Sequence, residues 1–251
     1  MVAMFKPFLI AIQFLTRIPV TFRNLPTEQQ IGHSLTYYPL VGLLLGMMLA
    51  SLYLIVSLWT TAWINAALVL TTWILLTGGL HLDGLADSVD AWVGGMGDRD
   101  KTLAIMKDPN CGPMGVIAIV LVILLKFVTL ATLFSAYQWL ALVVAIVLAR
   151  TSLVSLLLTT PYVRSRGLGS CLAAYHSRHW CILVVSVTIL VITFFIKNGL
   201  VSIAIAILAF LLCRQLMINR IGGTTGDTAG ALVEVSETMV LLAATLVMDQ
   251  T

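Results

Sequence analysis

Charge is scarce in this chain. Asp, Glu, Lys and Arg together supply 10% of its 251 residues, where an ordinary soluble domain carries about 25%. So little charge excludes a soluble globular domain of this length. The formal net charge of +3 gives no case for nucleic-acid binding, and no nucleic-acid partner is expected. Cysteine is also sparse. Cys111, Cys171, Cys181 and Cys213 have no CxxC spacing and no secreted, disulfide-rich context, so they read as free thiols. Pro-, Gly- or Ser-rich linkers and low-complexity segments are absent, which leaves a single integral-membrane domain, 1–251.

Apolar sequence is what is abundant. Hydrophobic residues make up 60% of the chain and the mean hydropathy is +1.04, so an all-α polytopic membrane protein is expected. Seven apolar runs approach the ~20 residues needed to cross a bilayer core: Tyr37–Trp59, Ala62–Leu80, Val116–Phe134, Trp139–Thr160, Trp180–Ile196, Leu200–Ile218 and Gly230–Met248. Before them, Phe5, Phe8, Leu9 and Ile12 recur at helical spacing, with Lys6, Gln13 and Arg17 on another face. That pattern predicts an amphipathic helix at the membrane surface rather than a cleaved signal peptide. With seven spans, Lys6, Arg17, Arg23, Arg99, Lys101, Lys107, Arg164, Arg166, Arg178, Arg214 and Arg220 fall on one side and only Lys197 on the other. The positive-inside rule makes the first side cytoplasmic. The connections near Thr61, Ala136 and Asn198, on the other side, are very short, so every loop able to carry chemistry shares the cytoplasmic face.

The few charges are not spread evenly. Six of the eleven acidic residues lie between Gly78 and Pro109, in a segment read as a loop at the end of the second span. Asp83, Asp87 and Asp90 are spaced four and then three apart, which on a helix puts them on one face. Three stacked carboxylates repel one another and call for a hard cation, so one or two Mg²⁺ ions with phosphate oxygens completing the shell are expected. A second constellation, GGTTGDTAGALVEVSE at 222–237, leads into the last span. Its glycines, threonines (Thr225 among them) and backbone amides are candidates for an anion site at a helix start. Asp227, near the surface, is a metal or substrate candidate. Glu234 and Glu237 sit inside the apolar run, where an acid needs a partner: Glu234 is a substrate-binding candidate, and Lys126 or Arg150 would otherwise pair with either one.

Two basic segments flank these acids. Arg99, Lys101 and Lys107 lie in RDKTLAIMKDPNCGPMG at 99–115 and are candidates for phosphate binding. Arg164 and Arg166 lie in PYVRSRGLGSCLAAYHSRH at 161–179 and are candidates for the same work; His176 and His179, three apart, do not by themselves make a metal site. In the first span Gly42 and Gly46 form GxxxG, read as close helix packing inside the bundle.

Taken together these segments resemble the cobalamin synthase family, CobS, also called adenosylcobinamide-GDP ribazoletransferases. The resemblance runs through FLTRIPV at 14–20, YPLVGLLLG at 38–46, GGLHLDGLADSVDA at 78–91, RDKTLAIMKDPNCGPMG at 99–115, RGLG at 166–169 and GGTTGDTAGALVEVSE at 222–237. Ala91 stands where the family often has Gly, and Ala229 where Leu is common. The resemblance implies an Mg²⁺-dependent, multi-pass enzyme of the bacterial plasma (inner) membrane. It would join adenosylcobinamide-GDP to α-ribazole, or α-ribazole 5′-phosphate, giving adenosylcobalamin or its 5′-phosphate plus GMP. On this reading Asp83 and Asp87 hold Mg²⁺ on the diphosphate, Asp90 or Asp227 completes the shell, and Asp90 or Asp227 is the general base. Expected partners are the two substrates and the bilayer, with a homo-oligomer or other late cobalamin enzymes also open. A CDP-alcohol phosphotransferase is the nearest competing reading, although Asp87 follows Ala86 where that family has Arg. An ion-coupled transporter using Glu234, Glu237 and Arg150 is a more distant one.

Overall fold

The structure, a computed structural model, describes residues 2–165 and 167–248. The described residues are helical apart from connections and one isolated parallel bridge between Tyr162 and Thr224. In chain order the helices are α1 (Val2–Leu15), α2 (Glu28–Ser34), α3 (Tyr38–Val56), α4 (Ala62–Thr77), α5 (Leu80–Gly94), α6 (Arg99–Ile105), α7 (Pro113–Ser135), α8 (Leu140–Thr159), α9 (Leu168–Tyr175), α10 (Arg178–Phe195), α11 (Gly199–Ile221) and α12 (Gly226–Met248). By length and composition six of them can cross a membrane, α2 counting with α3 as one continuous run, and α4 with α5 forms a seventh candidate bent by 83°. The expected spans match α3, α4, α7, α8, α10, α11 and α12 to within a few residues, and the short opposite-face connections are 57–61, 136–139 and 196–198.

The bundle is built around α8, which is buried on every side and packs against α3, α10, α11 and α12. Its contact with α3 is close because Gly42 and Gly46 face it: a Cβ at Gly46 would meet the Val143 Cα at 3.1 Å. GxxxG therefore serves packing within the bundle. On α7, α10 and α11 most apolar side chains point outward, among them Ile117, Leu121, Leu183, Leu190, Leu208 and Leu212. Leu and Ile exposed in such numbers suit a lipid surface, not water.

The polar centre of the bundle is one ionic cluster. Lys126 on α7 donates to Glu234 at 2.6 Å and to Glu237, and Arg150 on α8 donates to Glu237. Lys126 also lies over the Trp73 ring, 4.4 Å from its centroid. All four charged side chains are at most 7% exposed. Carboxylates at this depth are tolerable because each has a cation.

Three parts of the structure differ from the sequence expectation. The acidic segment is a helix, α5, and not a loop. Gly78 and Gly79 both adopt left-handed φ (+63° and +68°), end α4, and turn the chain through 83°. Helix α5 then runs across the starts of α7 and α12, outside the spanning direction of α4. The 161–179 segment is likewise part helix: α9 packs on α2, whose N-terminus carries a capping box between Thr27 and Gln30. Finally, α1 exists, but its buried residues are Pro7, Ile10, Ala11, Ile12 and Leu15, while Phe5 and Leu9 are exposed. It docks on the bundle against α2 and α3 through that face, leaving Phe5 and Leu9 on the outside.

Candidate active site

Helix α5 is held at its position by glycine contacts on two sides. A Cβ at Gly84 would meet the Asp227 carbonyl oxygen at 2.7 Å, and one at Gly230 would meet the His81 backbone at 3.3 Å. Helices α5 and α12 therefore touch backbone to backbone, which brings Asp83 and Asp227 to one place although they are far apart in sequence. Helix α12 starts there because Thr225 caps it: its Oγ1 accepts from Thr228 N at 3.3 Å, and its own N–H donates to Thr228 Oγ1 at 2.9 Å. Thr224 pairs with the 161–163 strand-like segment, its N–H donating to Pro161 O and its carbonyl accepting from Val163 N, both at 2.8 Å. That pairing carries Arg164 to Asp227.

The four aspartates have different surroundings. Asp90 accepts from Gly112 N at 2.7 Å and Gly115 N at 2.9 Å, so it caps the first turn of α7. Asp227 accepts from Arg164 at 2.6 Å. Asp83 and Asp87 have no hydrogen bond or ion pair to another side chain among the described residues. Burial, together with the like charges of Asp83, Asp227 and Asp90, pushes the Asp87 carboxyl up to about 6, with Arg164 acting in the opposite direction.

Among the described residues, no three His, Cys, Asp or Glu side chains form a protein-only cage for a metal. Mg²⁺ is usually held by one or two carboxylates plus substrate phosphates and water. Asp83 and Asp87, without an ion pair among the described residues, fit that donor set. His176 is engaged with Leu172 O at 3.1 Å and joins no such group.

Two openings meet at the Arg164–Asp227 pair. On one side Lys107 and Arg164, with Leu103, Val163 and Ser165, line an open cleft of about 410 Å³. On the other, Asp83 and Asp227 line a smaller, mainly apolar cavity of about 160 Å³. Arg164 belongs to the wall of the first and Asp227 to that of the second, and their ion pair links the two walls.

The remaining candidates lie further out or are otherwise occupied. Arg99 donates to Ile221 O at 2.9 Å and pairs with Asp100, bracing the end of α11. Lys101 is exposed on α6 and lines neither opening. The Thr225 side chain is buried in the α12 cap, and Glu234 is in the buried ionic cluster. Arg166 lies outside the described residues. Sequence reading missed Arg220, which donates to Thr102 Oγ1 at 2.9 Å and to Trp92 O and so ties α6 and α5 to α11. It also missed Tyr38 and His81 in the cavity wall, because neither stands out in an apolar span or beside a run of acids.

The model of the cobalamin-5-phosphate synthase family, CobS, matches residues 7–245. The chain belongs to that family. Proteins called adenosylcobinamide-GDP ribazoletransferase are similar along nearly their whole length. One from Pseudomonas fluorescens strain Pf0-1 is 49% identical over 239 residues, covering 94% of this chain and 97% of the relative. Another, from P. fluorescens strain Pf-5, is 48% identical over 241 residues, covering 96% and 99%. A third, from Stutzerimonas stutzeri strain A1501, is 48% identical over 236 residues, covering 94% and 96%. No solved structure matches. The resemblance read from the paired motifs is borne out, and with it a CobS membrane transferase in place of the CDP-alcohol phosphotransferase and transporter readings.

Proposed function

We propose that the chain transfers the phosphocobinamide group of adenosylcobinamide-GDP to a ribose hydroxyl of α-ribazole or its 5′-phosphate, releasing GMP. The observation that carries this reading is the pair of uncompensated carboxylates, Asp83 and Asp87, beside a cleft lined by Lys107 and Arg164. Carboxylates for a metal and cations for phosphate are the two requirements of phosphoryl transfer. In the reaction, the ribose oxygen forms a bond to the phosphorus next to the cobinamide arm, the P–O bond to the GMP phosphate breaks, and the hydroxyl proton passes to a base.

Bound Mg²⁺ would polarise the phosphoryl oxygens and neutralise charge on the departing GMP, with Asp83 and Asp87 as its protein ligands. Lys107 and Arg164 bind the diphosphate in the open cleft. Asp227 takes the hydroxyl proton: it stands at the junction of cleft and cavity, and Arg164 orients it through Oδ2. Asp90 positions rather than reacts, since both its oxygens accept backbone amides. The face bearing these groups also bears nearly all the basic residues, which supports a cytoplasmic active site in the bacterial inner membrane.

The test is a reaction with protein in liposomes, Mg²⁺, adenosylcobinamide-GDP and α-ribazole. GMP release matched by formation of a cobalamin is expected, and release that stops with EDTA. No GMP under these conditions would overturn the proposal, as would release of GMP that does not depend on ribazole.

A further inference from the structure

Tyr162 stands beside Asp227 and has no part in the chemistry described so far. Residues 161–163 form a short extended segment paired with Thr224. Side chains two apart on such a segment point the same way. Arg164 reaches Asp227, and Tyr162 turns toward the same helix start, lining the cavity with Gly169, Gly226 and Asp227. A Cβ at Gly169 would meet the Tyr162 hydroxyl oxygen at 2.2 Å and one at Gly226 at 3.8 Å, so the hydroxyl end of the ring lies between α9 and the start of α12. The Gly226 N–H donates to that oxygen, and the charges of Arg164 and Asp227 both act on it. Its own proton has no acceptor among the described residues. Unlike the enclosed Tyr38 hydroxyl, it belongs to a half-buried residue on the edge of the cavity that carries Asp227 and the exposed Asp83.

We propose that Tyr162 holds the ribose of the acceptor: its hydroxyl donates to whichever of the 2′ and 3′ hydroxyls does not attack, while Asp227 takes the proton of the other. This rests on the transferase reading above, with Asp227 as its base, and adds a residue that orients the nucleophile. The attacking hydroxyl is one of this pair, because the 5′ position carries phosphate in one form of the acceptor. The two hydroxyls stand on adjacent carbons. A group that binds the second must therefore lie next to the group that deprotonates the first, and Tyr162 is so placed. A phenol suits the position. Burial holds its pKa above the ordinary value, so it stays protonated and adds no charge beside Asp227. Its oxygen is anchored by Gly226, which leaves the proton to give. Two fixed contacts on one ribose set the direction of attack as one contact does not.

Tyr162→Phe, which keeps the ring and removes the hydroxyl, is tested with α-ribazole and with its 2′-deoxy and 3′-deoxy analogues. Each analogue is assayed as a substrate where it reacts, and as a competitive inhibitor of α-ribazole where it does not. The variant should weaken α-ribazole about 5-fold, the size expected for one hydrogen bond. It should weaken by the same factor the analogue that keeps the hydroxyl bound by Tyr162. The other analogue, which lacks that hydroxyl, should bind wild type and variant alike. The KM for adenosylcobinamide-GDP should not change. If Tyr162→Phe does not fold, judged by its thermal transition, Gly169→Ala takes its place: the added Cβ must push the Tyr162 hydroxyl aside and should give the same pattern.

Equal weakening of α-ribazole and both analogues overturns the assignment, since the hydroxyl would then act on the fold and not on the ribose. An α-ribazole affinity indifferent to the variant overturns it too, as does a KM for adenosylcobinamide-GDP that rises in step. In all three cases GMP release by the wild type would leave the transferase reading standing, whereas absence of GMP release defeats that reading instead.

Discussion

Two acidic clusters in this protein are made of the same chemistry and end in opposite states. In the bundle, Glu234 and Glu237 meet Lys126 and Arg150, and the carboxylates and cations balance. At the basic face, Asp83, Asp87, Asp90 and Asp227 share, among the described residues, the guanidinium of Arg164. The first cluster is balanced in charge and holds three helices together. The second is short of positive charge, and the shortage falls on Asp83 and Asp87. Depth accounts for the contrast. An acid inside a bilayer core must bring its own cation or lose its charge, while an acid at the surface can stay charged until a metal arrives.

The comparison breaks most sharply at Asp83. Asp83→Asn should cut GMP release by about 10³-fold or more, on the scale expected for removing a group that stabilises transition-state charge, with the protein still inserted and folded. A rate near wild type would place the metal elsewhere. The opposite behaviour is expected at Lys126. Lys126→Met should lower stability by about 3–5 kcal/mol, because it leaves buried carboxylates without a partner, and a thermal melt in detergent would read this. Asp87→Asn measured beside it should leave the transition in place or raise it, since it relieves repulsion; a loss of stability equal to that of Lys126→Met would erase the distinction between the two clusters.

Smaller effects sharpen the surface cluster itself. Gly84→Ala puts a Cβ against the Asp227 carbonyl oxygen, so α5 must shift. Activity should fall about 10²-fold, as a displacement of about 1 Å commonly costs, with little change in KM for either substrate if the shift is confined to the reacting groups. Acid should act through Asp87. Its carboxyl titrates near 6 without a metal, and a proton competes with Mg²⁺ for it. Affinity for Mg²⁺ should therefore be constant well above pH 6 and decline below it, by up to about tenfold per unit. Isothermal titration at several pH values, using Asp87→Asn as the reference, reads this directly. A wild-type profile as flat as that of the variant would remove Asp87 from the metal site.

Much of the site was legible as residues and little of it as partners. The spacing of Asp83, Asp87 and Asp90 is local, and it survived intact as one helix face. What that face meets is not local. Asp90 was a candidate base or ligand by spacing alone, but Gly112 and Gly115 close on it from the start of α7. Arg99, Lys101 and Lys107 looked equivalent as a basic run. In the fold, Lys107 lines the cleft, Arg99 turns to Ile221, and Lys101 is out in solvent. The cavity left no local trace, since its wall is drawn from α1, α3, α5, α8, α9 and α12, and Tyr38 reads as one more aromatic near a membrane interface.

By itself the sequence determined that this is a multi-span membrane protein, where its spans lie, on which face its basic residues gather, and which family it resembles. Those properties come from hydropathy, charge asymmetry and short motifs, all of which are local sums. Only the tertiary structure decided which carboxylates already have partners and which have none among the described residues. That outcome depends on contacts such as Arg164 with Asp227 and Asp90 with α7. They form only when Gly78 and Gly79 bend the chain and Gly84 and Gly230 let two backbones touch.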